Sequence, residues 1–174
     1  MKENSDFQEH LQGWFAGRLP GDWFEGAPRV EFDNDEILVV GDLTLPDLPD
    51  EAGPETRKAA TQARIQGFRE DTRGLRMRIA DEAERRFGRK VSWGARCGER
   101  EVTFTTVATP AMTRLRMSER KVLDTLVEAG VARSRSHALR WCVRLVADKQ
   151  DEWLADLRKA LEGVEAIRRE GPRT

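Results

Sequence analysis

The sequence predicts an α+β fold: an N-terminal antiparallel sheet of two hairpins covered by a long helix, then a strand–helix–helix unit and one further helix. Three observations predict it. Short alternating apolar runs occur in two pairs, and one long stretch between them has apolar residues at every third or fourth position. The pattern then changes after Thr109-Pro110. The corresponding division is 1–108, 109–150 and 151–174.

Ser5 is a candidate N-cap for a first helix over 6–18, in which Phe7, Leu11, Trp14 and Phe15 fall at helical spacing. Pro20-Gly21 ends it. Residues 29–32 and 36–43 read as strands, joined by Asp33-Asn34-Asp35, residue types that tolerate turn conformations. Pro46, Pro49 and Pro54 mark a surface linker, because proline fixes φ and removes a backbone donor. A helix over 55–87 carries one stripe of Ile65, Phe68, Leu75, Ile79, Ala83 and Phe87. Gly67 and Gly74 each weaken it by about 1 kcal/mol relative to alanine, and Gly88 is placed to cap its end. Residues 90–95 and 100–108 alternate again, with Val91, Trp93, Ala95, Val102 and Phe104 inward, and form a second hairpin. The last helix, over 151–169, aligns Trp153, Leu154, Leu157, Leu161, Val164 and Ile167 before Gly171-Pro172.

Composition narrows the function classes. The apolar run Ile37-Leu38-Val39-Val40 is far too short to cross a bilayer, and the first residues lack a signal peptide's basic start and apolar stretch. The expectation is a cytoplasmic protein with no membrane partner. Cys97 and Cys142 are too few for a disulfide framework or a four-thiolate metal cage. His10 and His137 leave little material for acid–base or metal chemistry, and no glycine-rich phosphate loop is present. Asp33-Asn34-Asp35-Glu36 lacks the spacing of a calcium loop and reads better as a turn. Hence the expectation is a binding protein, not an enzyme, with no metal, no cofactor and no inferable small-molecule ligand.

Charge points to the partner. The formal net charge is −1, yet residues 1–53 carry 3 basic and 13 acidic side chains. Residues 54–117 carry 15 and 8, and residues 118–150 carry 7 and 4. A basic block of this size draws polyanions toward it; the competing reading makes the acidic block its counterweight within the fold or across a dimer.

Residues 112–150 give the sharpest pattern. Met112-Thr113-Arg114-Leu115-Arg116-Met117 reads as a short strand, and Ser118 as the N-cap of a helix over 119–129 facing inward with Val122, Leu123, Leu126 and Val127. Gly130 ends that helix. Ser134 or Ser136 then caps a second helix, over 135–149, with Ala138, Leu139, Cys142, Val143 and Val146 on its apolar face. This order resembles the ribbon-helix-helix family of DNA-binding proteins. The resemblance implies a homodimer whose two strands pair antiparallel and enter the major groove, as in a dimeric transcriptional regulator. It places Arg114 and Arg116 outward, where arginine bonds guanine bidentately, and Thr113, Leu115 and Met117 inward. Phosphate anchoring falls on Arg133, Ser134, Arg135 and Ser136, at the start of the second helix.

The match departs from the family in three places: Met112 replaces a polar reader, His137 follows Ser136 where an acid is common, and the strand is not terminal. Residues 112–117 therefore have an alternative place as one more strand of the 90–108 sheet. Two further functions compete. One is an RNA or ribosome-associated binder using Arg57, Arg64, Arg69, Arg73 and Arg76; the other is a protein interaction module built on the acidic 1–53 segment. Trp93, flanked by Arg89, Lys90 and Arg96, is a candidate for base stacking, but its alternating neighbours favour core packing.

Overall fold

A computed structural model describes residues 2–170, without the side chains of residues 2–5, 151, 158, 162–163 and 165–170. The Gly171-Pro172 stop and the inward placement of Ile167 lie outside what is described. The chain divides into two compact units, 1–110 and 111–174.

The first unit is mixed α/β, with helices α1 (Lys2–Arg18), α2 (Pro54–Asp71) and α3 (Arg73–Phe87) and strands β1 (Arg29–Phe32), β2 (Glu36–Asp42), β3 (Lys90–Cys97) and β4 (Arg100–Thr103). Helix α1 begins before Ser5, so Ser5 lies within the helix and does not cap it. Asp33 makes the first hairpin turn: its Oδ1 accepts from the amides of Asp35 and Glu36, both at 2.8 Å. Those two donors hold its carboxyl below the usual range, the favoured turn reading of the acidic cluster.

Both hairpins form, but the sheet is not wholly antiparallel. Its order is β1-β2-β3-β4, and the central pair β2·β3 runs parallel from Glu36↔Lys90 to Asp42↔Arg96. A parallel pair needs a crossover connection, and the linker with α2 and α3 supplies it. The long helix expected over 55–87 is in fact two helices, broken at Thr72. Thr72 donates from its amide (3.1 Å) and its Oγ1 (2.5 Å) to the Phe68 carbonyl. The Arg76 guanidinium donates to the Arg69 carbonyl at 2.6 Å, so side chains satisfy the backbone groups that the break exposes.

Residue parity sets the core. Odd-numbered positions of β2 and β3 share one face, on which Ile37, Val39 and Trp93 pack with Leu11, Phe15, Val30, Ile79 and Ala83. Leu43, Ile65, Ala95 and Cys97 form an adjoining cluster with Phe24 and Phe68 against it. Gly41 makes room there: a Cβ at that position would stand 2.2 Å from the Phe24 ring. The opposite face carries Leu38 and buried Val40 together with charged side chains, and on it Arg29 meets Glu101 at 2.8 Å while Arg96 pairs with Asp42. Burial pushes the Cys97 thiol up, so the neighbouring arginines do not create a reactive thiolate.

The second unit is helical: α4 (Met117–Glu128), α5 (Arg135–Lys149) and α6 (Asp151–Glu170). Its buried core is Leu123, Ala132 and Ala138, with Leu115, Leu126, Val127, Leu139 and Cys142 packed around them. Residues 111–116 belong to no strand of the sheet, and Met117, expected at a strand end, opens α4. A strand is defined by ladder hydrogen bonds, and within one chain this segment has no partner. No described helix is long and apolar enough to cross a membrane.

Candidate nucleic-acid interface

The segment before α4 forms no strand, and Thr113 and Met117, expected inward, are exposed. Leu115 is half-buried against the small core, whereas Arg114 and Arg116 are exposed. Arg116 itself is extended (φ −76°, ψ 168°) and stands as the N-cap of α4, the position expected for Ser118. The Glu119 carboxylate reaches back to accept the Arg116 amide at 2.5 Å, which fixes the chain direction at the helix entry. Arg120 donates to the Leu115 carbonyl at 2.6 Å and clamps the same turn from the other side. Neither the Arg114 nor the Arg116 guanidinium is in an ion pair among the described residues.

The turn between α4 and α5 rests on Gly130, whose φ of +74° lies in the left-handed region. Ser134 is the N-cap of α5, with its Oγ accepting from the His137 amide at 3.2 Å. His137 turns back, and its Nδ1 accepts the Arg133 amide at 3.3 Å. Arg133 and Ser136 are exposed. Arg135 is engaged: its fork meets Asp124 of α4 at 2.6 and 2.8 Å, tying the two helices together. That hydrogen-bonded fork holds the Asp124 carboxyl below its usual range.

Because the folded Asp124 pKa is depressed, its contribution is complete above the unfolded value of about 3.9. It fades as pH falls through the lower, folded value. Asp124→Asn should therefore remove part of the acid destabilisation of the second unit, as read by helical circular dichroism from pH 5 downward. An acid limb identical to that of the unsubstituted protein would show that the pair contributes nothing.

The second unit also leaves much apolar surface uncovered. Of the thirteen large hydrophobic side chains most exposed among the described residues, eleven belong to it. Val143 is 63% exposed on α5, and Trp153, Leu157, Leu161 and Val164 are exposed along α6. Exposed apolar side chains in this number are what an interface between chains removes from water.

A mixed α/β unit followed by an all-helical one, each with its own core, is the class that fold and site define. Family models divide the chain similarly: residues 9–103 match the Rv1265-like protein, N-terminal domain, and residues 116–168 match the Mb1296 C-terminal domain. The chain belongs to the Rv1265-like family. It is 54% identical over 160 residues to uncharacterized protein Rv1265 of Mycobacterium tuberculosis H37Rv and to uncharacterized protein Mb1296 of Mycobacterium bovis. The alignment covers 91% of this chain and 69% of each relative. No solved structure matches the chain significantly.

Proposed function

We propose that the chain is a non-enzymatic, homodimeric DNA-binding protein of the ribbon-helix-helix type, acting as a transcriptional regulator. The observation that carries this reading is the segment 111–116. It exposes two guanidinium groups and half-buries Leu115, and among the described residues those groups are unengaged and the segment has no strand partner. A second copy supplies that partner, and the exposed apolar side chains of α5 and α6 pack in the same dimer. The paired ribbon then presents Arg114 and Arg116 of both copies to base edges in the major groove. Arg133, Ser136 and the first amides of α5 hold a flanking phosphate, with Arg135 fastening α5 to α4 through Asp124.

The test joins assembly to binding. The full chain should sediment as a dimer and bind a selected duplex with an affinity that falls steeply with salt, since each neutralised phosphate releases counterions. A monomer at concentrations where a duplex is bound, or preference for RNA over every duplex offered, would refute the proposal.

A further inference from the structure

We propose that the first unit holds a binding site for a small aromatic oxyanion, a flat ring carrying a phosphate or carboxylate, in the cleft between α2–α3 and the edge of the sheet. This goes beyond DNA reading and does not depend on it. The cleft has a volume of about 600 Å³, within the range that takes one small organic molecule.

Its chemistry begins with Arg76. The side chain is 5% exposed, a degree of burial at which a charged group is costly unless it is paired. Yet Arg76 meets no carboxylate among the described residues. Its Nε donates to the Thr72 hydroxyl at 2.9 Å and its Nη2 to the Arg69 carbonyl, both neutral acceptors, and no hydrogen bond engages Nη1. Burial, and then the positive fields of Arg69 and Arg73, lower its pKa, with no acid acting in the opposite sense.

Arg69 and Arg73 line the same cleft as Arg76 and lie close enough to act on its charge. The one acidic lining residue, Glu70, is taken by the Gln66 amide. The rest of the lining is largely apolar: the Arg76 and Arg69 guanidinium groups lie over the Phe104 ring, 5.0 and 6.0 Å from its centroid, and Met77 and Val91 also line the cleft. Trp93 also lines the cleft, is 3% exposed, and has an indole N–H with no acceptor among the described residues. An oxyanion supplies the missing counter-charge and forked acceptor for Arg76. A flat ring covers the apolar lining. Inorganic phosphate satisfies only the first requirement and a neutral phenol only the second.

The experiment titrates the full-length protein with phenyl phosphate, benzoate, inorganic phosphate and phenol, following the indole N–H resonance of Trp93, assigned by its disappearance in Trp93→Phe. Phenyl phosphate or benzoate should move that resonance saturably, more tightly than inorganic phosphate or phenol, and whichever binds more tightly identifies the acid group. Arg73→Gln, at an exposed position, should weaken binding by roughly tenfold or more, and Arg76→Gln by more still, as loss of a charge-assisted hydrogen bond implies. If Arg76→Gln fails to fold, Arg69→Gln with Arg73→Gln decides the matter. No saturable shift with either aromatic anion, equal affinity for inorganic phosphate, or undiminished binding by these variants would overturn the proposal. In those cases Arg76 serves only to cap the α2 carbonyls at the helix break.

Discussion

Replacing both Arg114 and Arg116 with alanine is expected to eliminate sequence-specific DNA binding while leaving the thermal unfolding curve unchanged. Both side chains are exposed and outside any ion pair among the described residues, so their removal costs the fold little. A bidentate arginine–guanine contact contributes about 1–3 kcal/mol of discrimination. In the proposed dimer, two arginines in each of two subunits make four such contacts, so a loss of roughly a thousandfold in specific affinity is a conservative expectation. Residual non-specific binding should persist, because the proposed phosphate contacts of Arg133 and the α5 terminus are left intact by the double substitution. Fluorescence anisotropy on a selected duplex and on a scrambled one separates the two effects. Equal affinity of the double variant and the unsubstituted protein for the selected duplex would remove these residues from the interface.

The largest stability effect is expected at Phe15. Its side chain is fully buried and stands edge-on to Trp14 at 4.9 Å and Trp93 at 6.1 Å between ring centroids. Phe15→Ala loses transfer energy and ring contacts and leaves a cavity that a helix and sheet cannot close, so about 3–5 kcal/mol of destabilisation is expected. Urea unfolding followed by tryptophan fluorescence measures it. A change below about 1 kcal/mol would mean that the site collapses freely and that α1 is not seated on the sheet as described.

Much of this fold was legible because alternation along a strand is a local signal. Val91, Trp93 and Ala95 were assigned inward from spacing alone, and Trp93 and Ala95 are buried. Pairing direction was not legible. Whether two adjacent hairpins join through parallel or antiparallel edges depends on where the crossover deposits the chain, and the alternation of β2 and β3 is the same either way. The break at Thr72 was hidden for a different reason. The apolar stripe stays in phase through it, since Phe68, Leu75 and Ile79 continue on one face while Thr72 and Arg76 occupy the freed carbonyls.

Arg76 shows the same limit at the level of a site. By spacing it belongs with Arg69 and Arg73 on a basic helical face, yet it is buried where they are exposed. The signal was its place beside Leu75 and three residues before Ile79, at the margin of the apolar stripe. In the second unit the expected alternation fails at two of its three inward positions: Leu115 is half-buried, but Thr113 and Met117 are exposed, because the segment has no sheet to turn one face toward. The helix start was misplaced by two residues because Arg116, with Glu119 reaching back, takes the N-cap position that serine chemistry favours at Ser118.

The most direct measurement is an isotope-filtered nuclear Overhauser experiment on a mixed sample, half the copies labelled with ¹⁵N and ¹³C and half unlabelled. Cross-peaks between residues 113–116 of a labelled copy and the same residues of an unlabelled one, in antiparallel register, are the predicted result. Absence of those cross-peaks, with the segment's contacts confined to its own chain, would contradict the paired ribbon and the DNA reading built on it.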